Sequence, residues 1–431
     1  MEPLRLLHFA DLHLGVETGG RTHPATGLNQ RIVDACDRLD EVCEVVEADG
    51  VHAVIFAGDA FKNQHPTPTL QSLFAARIRR LSRAGAAVFL LVGNHDLPKM
   101  AGLAHPFSIY PALEVEGVVV GDRAKVYRLP LRDGATAPVL QIGALPHFSR
   151  HQVLARMQDG ADAAAVIEER LVSTIRSLGG ELDPAAPAVF AGHCHVNTAQ
   201  VGEAQSLFGV SDIEVPLSTL VSTRGFAAHL LGHVHNRQVL SDDPFVAYSG
   251  SLERVDYGEG SRVRVGTDGA VDVREAEPKG FYRLDLTNED GGWRLAEPPT
   301  FRHVHARRFI TIRVGALDVH DPVADLESRV RAVRANEVDV TDAFVRLVGV
   351  IPAADRARVT SAIARGLIPE AYDVRVAISS DDGPLVRDPR FAERMTEVDA
   401  LERYLAGRDD WDEDRDELLR AGRELIAEVL S

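Results

Sequence analysis

Five short apolar runs, each ending at a residue able to hold a metal ion, constrain this chain more than any other feature. Leu6-Leu7-His8-Phe9-Ala10 stops at Asp11, Ala53 to Ala57 at Gly58-Asp59, and Val88 to Val92 at Gly93-Asn94-His95-Asp96. Ala188 to Ala191 stops at Gly192-His193, and Phe226 to Leu231 at Gly232-His233-Val234-His235. Runs of this length bounded by Gly read as buried strands. In open α/β sheets the ligand site lies beyond the carboxyl ends of the strands, so five such ends can converge on one crevice.

Between the runs the period changes. Ile32, Val33, Cys36, Leu39, Val42, Cys43 and Val46 recur at helical spacing up to Gly50, and Leu70, Leu73, Phe74, Ile78 and Leu81 do so up to Gly85. The alternation predicts a layered α/β domain from Leu4 to about Ala276. After Glu277-Pro278-Lys279-Gly280 strands and helices of a small α+β domain are expected. Strands fall at Phe281 to Leu286, Phe309 to Val314, Ala343 to Val350 and Tyr372 to Ile378, and helices at Asp321 to Val333 and Asp355 to Leu367. Ser379 to Pro389 reads as a linker, and the tail from Arg390 as two helical stretches with apolar stripes, of the kind that dock on a partner.

The chain's 431 residues exceed what one core holds. Cys36, Cys43 and Cys194 form no C-x-x-C pair, so neither a disulfide framework nor a zinc knuckle is expected. No apolar run reaches the ~20 residues of a membrane span, the opening residues do not read as a signal peptide, and a cytoplasmic protein without membrane contact is expected. A net charge of −17 argues against coating nucleic acid by bulk electrostatics. The segment from Asp381 to Ser431, with 8 Arg against 16 Asp or Glu, supplies much of that excess.

Asp11 and His13, Asp59, Asn94, His193, and the pair His233 and His235 make two carboxylates, one amide oxygen and four imidazoles. One ion cannot use seven such donors, whereas two ions sharing a carboxylate can, at the roughly 3.5–4 Å separation of paired-metal hydrolases. Phosphodiester hydrolysis needs neutralised phosphate charge and hydroxide near neutral pH, and two divalent ions supply both. The mixed O/N set suits Mn²⁺ or Fe²⁺, with Zn²⁺ as an alternative. His95, beside Asn94, is then placed to protonate the leaving oxygen or stabilise transition-state charge. His195 reads as a loop histidine, Cys194 as a buried thiol, and His8, His52, His105, His147 and His229 as structural or surface groups.

These motifs, Asp11-Leu12-His13-Leu14-Gly15, Gly58-Asp59-Ala60-Phe61, Gly93-Asn94-His95-Asp96, Gly192-His193 and Gly232-His233-Val234-His235, resemble the calcineurin-like metallophosphoesterase signature. Tyr248 to Arg254 and Lys279-Gly280-Phe281-Tyr282 further resemble the SbcD-type double-strand-break repair nucleases. The resemblance implies a four-layer α/β/β/α nuclease domain over 1–276, a DNA-capping α+β domain over 279–378, and a helical pair over 390–431 docking on an SbcC-type coiled-coil ATPase. It implies Asp11, His13 and His235 on one Mn²⁺, Asn94, His193 and His233 on the other, Asp59 bridging, His95 catalytic, and homodimerisation.

One position departs from the family pattern. Lys62 stands where relatives commonly carry His or Asp, and a charged Lys cannot accept a hydrogen bond, which leaves Asp96 as the nearest substitute. The run from Arg302 to Arg308 is dense enough to nominate Arg302, Arg307 and Arg308 as phosphate contacts. Two other readings fit parts of the pattern: a phosphoesterase for nucleotides or other small phosphoesters, and a non-catalytic scaffold, which the complete donor set disfavours.

Overall fold

The computed structural model describes residues 2–98, 103–132, 135–148, 163–201, 213–289 and 291–380, with 419, 420 and 423. The helical pair expected from Arg390 lies almost wholly outside the described residues.

Two sheets face each other. The first is built on parallel strands β1 (Leu4–Phe9), β2 (Ala53–Phe56), β3 (Ala87–Leu91) and β4 (Val118–Gly121). The second comprises β5 (Lys125–Pro130), β6 (Val139–Leu145), β7 (Ala188–His193), β10 (Ala228–Gly232), β11 (Gln238–Asp242) and β12 (Phe245–Tyr248), with β6, β7, β10 and β12 parallel. A minor pair, β8 (His195–Val196) and β9 (Glu214–Val215), lies beside them.

Alternation along the strands sends side chains to opposite faces. On β1, Leu4 and Leu6, with Ala10 just past its end, join the core between the sheets, while Leu7 and Phe9 join the core under the helices. Helices α1 (Gln30–Asp49) and α2 (Pro68–Arg83) cover the first sheet. The second sheet's outer face carries α4 (Ala163–Gly180) and α5 (Leu217–Ser222); a short α3 (Ile109–Ala112) lies between β3 and β4 in sequence. The expected α/β/β/α layering is therefore present. α1 starts where Asn29 accepts the Arg31 amide and stops at left-handed Gly50; Thr67 caps α2 from the Leu70 amide. Such caps contribute about 1 kcal/mol each.

A third sheet comprises β13 (Ser261–Val265), β14 (Val271–Arg274), β18 (Phe309–Ala316), β19 (Phe344–Ile351) and β20 (Asp373–Ser380). α6 (Pro322–Ala335) and α7 (Ser361–Leu367) pack on one of its faces over Ile310, Ile312, Val345 and Leu347. Here the chain crosses the boundary placed at 276–279. β13 and β14 belong to the small sheet, while β15 (Gly280–Glu289), β16 (Gly292–Leu295) and β17 (Thr300–His303) return to the first sheet, β15 running antiparallel to β1. The cause is nonlocal pairing: Leu4, Leu6 and His8 of β1 need a partner strand, and Leu286, Leu284 and Tyr282 provide it.

Candidate metal centre

Four of the seven expected ligands leave their strands in the left-handed region: Asp11 (φ 55°), His13 (φ 47°), Asp59 (φ 60°) and His233 (φ 96°). Such backbone costs on the order of 1 kcal/mol or more per residue and persists where surroundings fix it. Here the surroundings are two loops laid side by side, with the Asp11, His13 and Leu14 amides donating to the Gly58, Asp59 and Ala60 carbonyls. Gly58 and Gly93 let the loops close up, since a Cβ would run into His193 at the first and Asp59 at the second.

Asp11, His13 and His235 bring one ligand atom each to within 4.8 Å of one another. Nε2 of His13 and Nε2 of His235 stand 2.9 Å apart, and Nδ1 of His235 lies 2.9 Å from a Glu259 oxygen. With its Nδ1 hydrogen given to that carboxylate, His235 turns Nε2 toward His13; burial would lower its pKa, but Glu259 and Asp11 together raise it. Burial and the neighbouring His235 hold the His13 ring well below its ordinary pKa, so His13 is the neutral member of the pair. Two imidazole nitrogens this close share one proton between them, in the place a bound cation would take.

The second group adjoins it. Asp11, Asp59 and His193 also bring ligand atoms within 4.8 Å, and Asn94 Oδ1 lies 2.9 Å from His193 Nε2 and 3.0 Å from His233 Nδ1. His193 Nδ1 donates to the Ala57 carbonyl at 2.7 Å, leaving Nε2 aimed at two oxygens, Asn94 Oδ1 and Asp59 Oδ2 at 3.3 Å. Burial would lower this imidazole, but the charges of Asp59 and Asp11 and the hydrogen bonds to Asp59 and Ala57 together outweigh it and push the pKa up to about 9. In return, against the effect of burial, His193 and His13 hold the Asp59 carboxyl well below its usual range. The field that would protonate a buried imidazole is one that attracts a cation. The donor set therefore fits two divalent ions, with Asp59 and Asp11 in reach of both groups.

His95 projects at the open edge of this cluster, its ring centroid 4.8 Å from that of His13. Its amide donates to Asp59 Oδ1 at 2.8 Å, and its Nδ1 lies 2.7 Å from the backbone carbonyl of Lys62. Lys62 thus supports His95 through its main chain while its side chain points to solvent. Asp96 does something else: fully buried, it accepts from the Asp59 amide at 2.9 Å and from the Ala60, Phe61 and Gly93 amides. Burial and the nearby Asp59 charge raise its carboxyl to about 7.

Glu259, Ser251, Lys279 and His147, to which the sequence reading assigned no part in the site, complete the surroundings. Glu259 takes, besides His235, the Ser251 hydroxyl at 2.7 Å and Lys279 Nζ at 2.5 Å. Lys279, itself buried, and His235 together hold its carboxyl below the ordinary range despite burial. His147, read as structural, stacks beside His233 at 5.9 Å between centroids; its place just past the end of β6 was the available signal. His195 stays apart, 3.9 Å from Glu214.

The three nominated arginines are committed to carboxylates. Arg302 reaches Asp49 at 3.4 Å, and Arg308 reaches Asp339 at 2.5 Å. Arg307, 12 % exposed, makes a two-pronged pair with Asp34 at 2.7 and 2.8 Å.

A two-sheet sandwich with O/N donors at its strand ends, grouped around two overlapping centres, defines a metal-dependent phosphoesterase. The family model "Calcineurin-like phosphoesterase" matches residues 4–237, more than half of the chain, and the protein belongs to that family. Among its relatives, the SbcD component of nuclease SbcCD from Bacillus subtilis is 24% identical over 66% of this chain and 70% of its own. The Escherichia coli (strain K12) protein of the same name is 27% identical over 58% and 60%. "DNA double-strand break repair protein Mre11" of Haloferax volcanii is 26% identical over 90% and 71%. These matches span between 60% and 71% of the relatives' lengths.

Proposed function

We propose that this protein is a DNA nuclease that processes broken and hairpin ends, as an exonuclease and endonuclease. One observation carries the reading: the flank that resembles the repair nucleases is wired to the metal centre. Ser251 and Lys279 from that flank converge on Glu259, and Glu259 holds His235. The names of the relatives support the same substrate, and the Haloferax volcanii match extends through the small domain.

In this reading Asp11, His13 and His235 hold one Mn²⁺, Asn94, His193 and His233 the other, and Asp59 bridges, with Fe²⁺ or Zn²⁺ as alternatives. When bound, the ions neutralise phosphate charge and supply hydroxide near neutral pH. The chain's own residues do the rest. Glu259 fixes the face of His235, Asp96 pins the Asp59 loop, and His95, with Nδ1–H committed to the Lys62 carbonyl, gives the leaving oxygen the Nε2 proton of its imidazolium form. The small domain caps the site, the acidic tail docks on an SbcC-type ATPase, and the chain forms a homodimer in the cytoplasm. Exposed Ile109 and Leu113 at α3 favour such pairing, and no described helix is long and apolar enough to cross a membrane.

The deciding experiment is digestion of linear and hairpin DNA with added Mn²⁺ by the native protein and His95→Ala, with and without the ATPase. Cleavage by the native protein alone supports the proposal. Equal cleavage by both removes His95 from the chemistry, and intact DNA beside hydrolysed small phosphodiesters moves the substrate to small phosphoesters.

A further inference from the structure

The face of the small sheet opposite α6 and α7 carries an unusual charge. Register places Arg274, Arg262, Thr311, Arg346 and Arg375 in one row across β14, β13, β18, β19 and β20. The adjoining row runs Asp272, Arg264, Arg313, Val348 and Ala377. Six arginines thus share one face with two carboxylates, Asp272 and Asp373, in a chain whose net charge is −17. Arg264, Arg274, Arg313 and Arg375 are exposed; Asp373 is buried and takes Arg375 Nε at 3.4 Å.

The near end of this face is fastened to the metal centre. The Arg346 guanidinium lies 4.7 Å from the ring of Tyr257, which packs edge-on against Phe309 at 5.0 Å. Two residues along from Tyr257 is Glu259, the partner of His235. On the other side, Gly19, in the loop that leaves Asp11 and His13, abuts Phe344 and Arg375. Five strands about 4.8 Å apart make the row roughly 19 Å wide, enough to meet both backbones of a duplex across a groove about 12 Å wide.

We infer that this arginine face is the surface on which the phosphate backbone of duplex DNA lies as it enters the metal centre. The inference rests on the nuclease reading above and assigns that substrate its docking surface. Guanidinium groups pair with phosphate in two-pronged geometry, and phosphate contacts fix register on the duplex without reading sequence. It also resolves the opposition of charge: a chain acidic as a whole presents one local basic face, beside the site where DNA would be cut.

The test uses the full chain and labelled duplex DNA, in EDTA for binding and with Mn²⁺ for cutting, comparing the native protein with Arg264→Glu/Arg313→Glu over a range of salt concentrations. Both positions are exposed, and unfolding midpoint and Mn²⁺ uptake serve as controls for fold and site. The expected result is binding weakened about 10-fold or more, with a shallower salt dependence, by about 0.9 in log–log slope for each phosphate no longer neutralised. Arg264→Lys/Arg313→Lys, which keeps the charge, is expected to retain most of the slope. If the native protein binds and cuts duplex and the charge-reversed variant binds it as tightly with the same slope, the docking surface is wrong and the nuclease reading stands. If the native protein neither binds nor cuts duplex yet hydrolyses a small phosphodiester, both fall together.

Discussion

Glu259 and His235 meet at 2.9 Å, and the buried Lys279 and Ser251 converge on both, bonding the Glu259 carboxylate and the His235 backbone carbonyl. The carboxylate sets which imidazole nitrogen carries hydrogen and which is left to bind. Glu259→Gln keeps the shape but removes the charge, and leaves Lys279 facing a neutral amide in a buried site. Mn²⁺ affinity, read by calorimetry, is expected to fall by about 10–100-fold. The unfolding free energy is expected to drop by about 3 kcal/mol, as when a buried pair loses one member. An unchanged Mn²⁺ isotherm would show that His235 needs no such partner.

The overlap of the two ligand groups makes a prediction about stoichiometry. Asp59 stands 3.3 Å from His193 and 3.7 Å from His13, one from each group. His235→Ala is expected to leave one of two ions bound, whereas Asp59→Asn weakens both. Metal analysis after gel filtration checks this, and a retained pair in Asp59→Asn would remove its bridging position.

His95 takes its support from a main-chain oxygen, so the residue type at position 62 matters less than that at 95. His95→Gln is expected to slow phosphodiester hydrolysis by roughly 10²–10⁴-fold without loss of metal. Lys62→Ala leaves the carbonyl in place and is expected to change the rate far less than His95→Gln. Rates within a few-fold of native for His95→Gln would transfer the proton role elsewhere.

Two buried histidines that are not among the ligands set an acid limit on the fold. Burial lowers His8 to about 3 and His229 to about 4. Folded, they stay neutral; unfolded, they take protons below about pH 6.5. Stability from these sites is therefore complete above pH 6.5 and is lost as pH falls toward 4, by up to about 1.4 kcal/mol per pH unit for each ring. Melting of metal-free protein between pH 7 and 4.5 is expected to show the decline. His229→Leu, beside Phe190 and Phe226, is expected to make it shallower.

The thiols set an opposite limit. Burial raises Cys36 to about 11 and Cys43 to about 12. The folded thiols keep their protons where unfolded ones lose them, so stability declines as pH rises above about 8.5. Neither is expected to react with a disulfide reagent at pH 8 until the chain unfolds; prompt labelling of the native protein at Cys36 or Cys43 would contradict their placement on the inner side of α1.

The strand ends were legible in the sequence because each depends on a local change, an apolar run giving way to Gly and a donor, and Asp11, Asp59, Asn94, His193 and His233 all announce themselves so. The partnerships of Glu259 and Arg307 were not. Arg307 stands in a basic run that invites a phosphate, yet its carboxylate partners, Asp34 and Asp342, lie 273 positions before it and 35 after it, and proximity of that kind leaves no periodic trace. The return of residues 280–303 to the first sheet is hidden for the same reason. An apolar alternation states that a strand exists, whereas its neighbour is chosen by the exposed edge of β1.

That return has a consequence for how the molecule could be taken apart. Since β13 and β14 precede β15 in the chain but belong to the other unit, no single cut liberates the small sheet intact. A truncation after residue 276 strips β1 of its antiparallel neighbour and keeps two orphan strands, while a fragment begun at 279 lacks two of its five strands. The two units are bound to be inherited, expressed and lost together, and an exchange between related chains would have to swap 261–274 and 309–380 as a pair, leaving the intervening stretch behind.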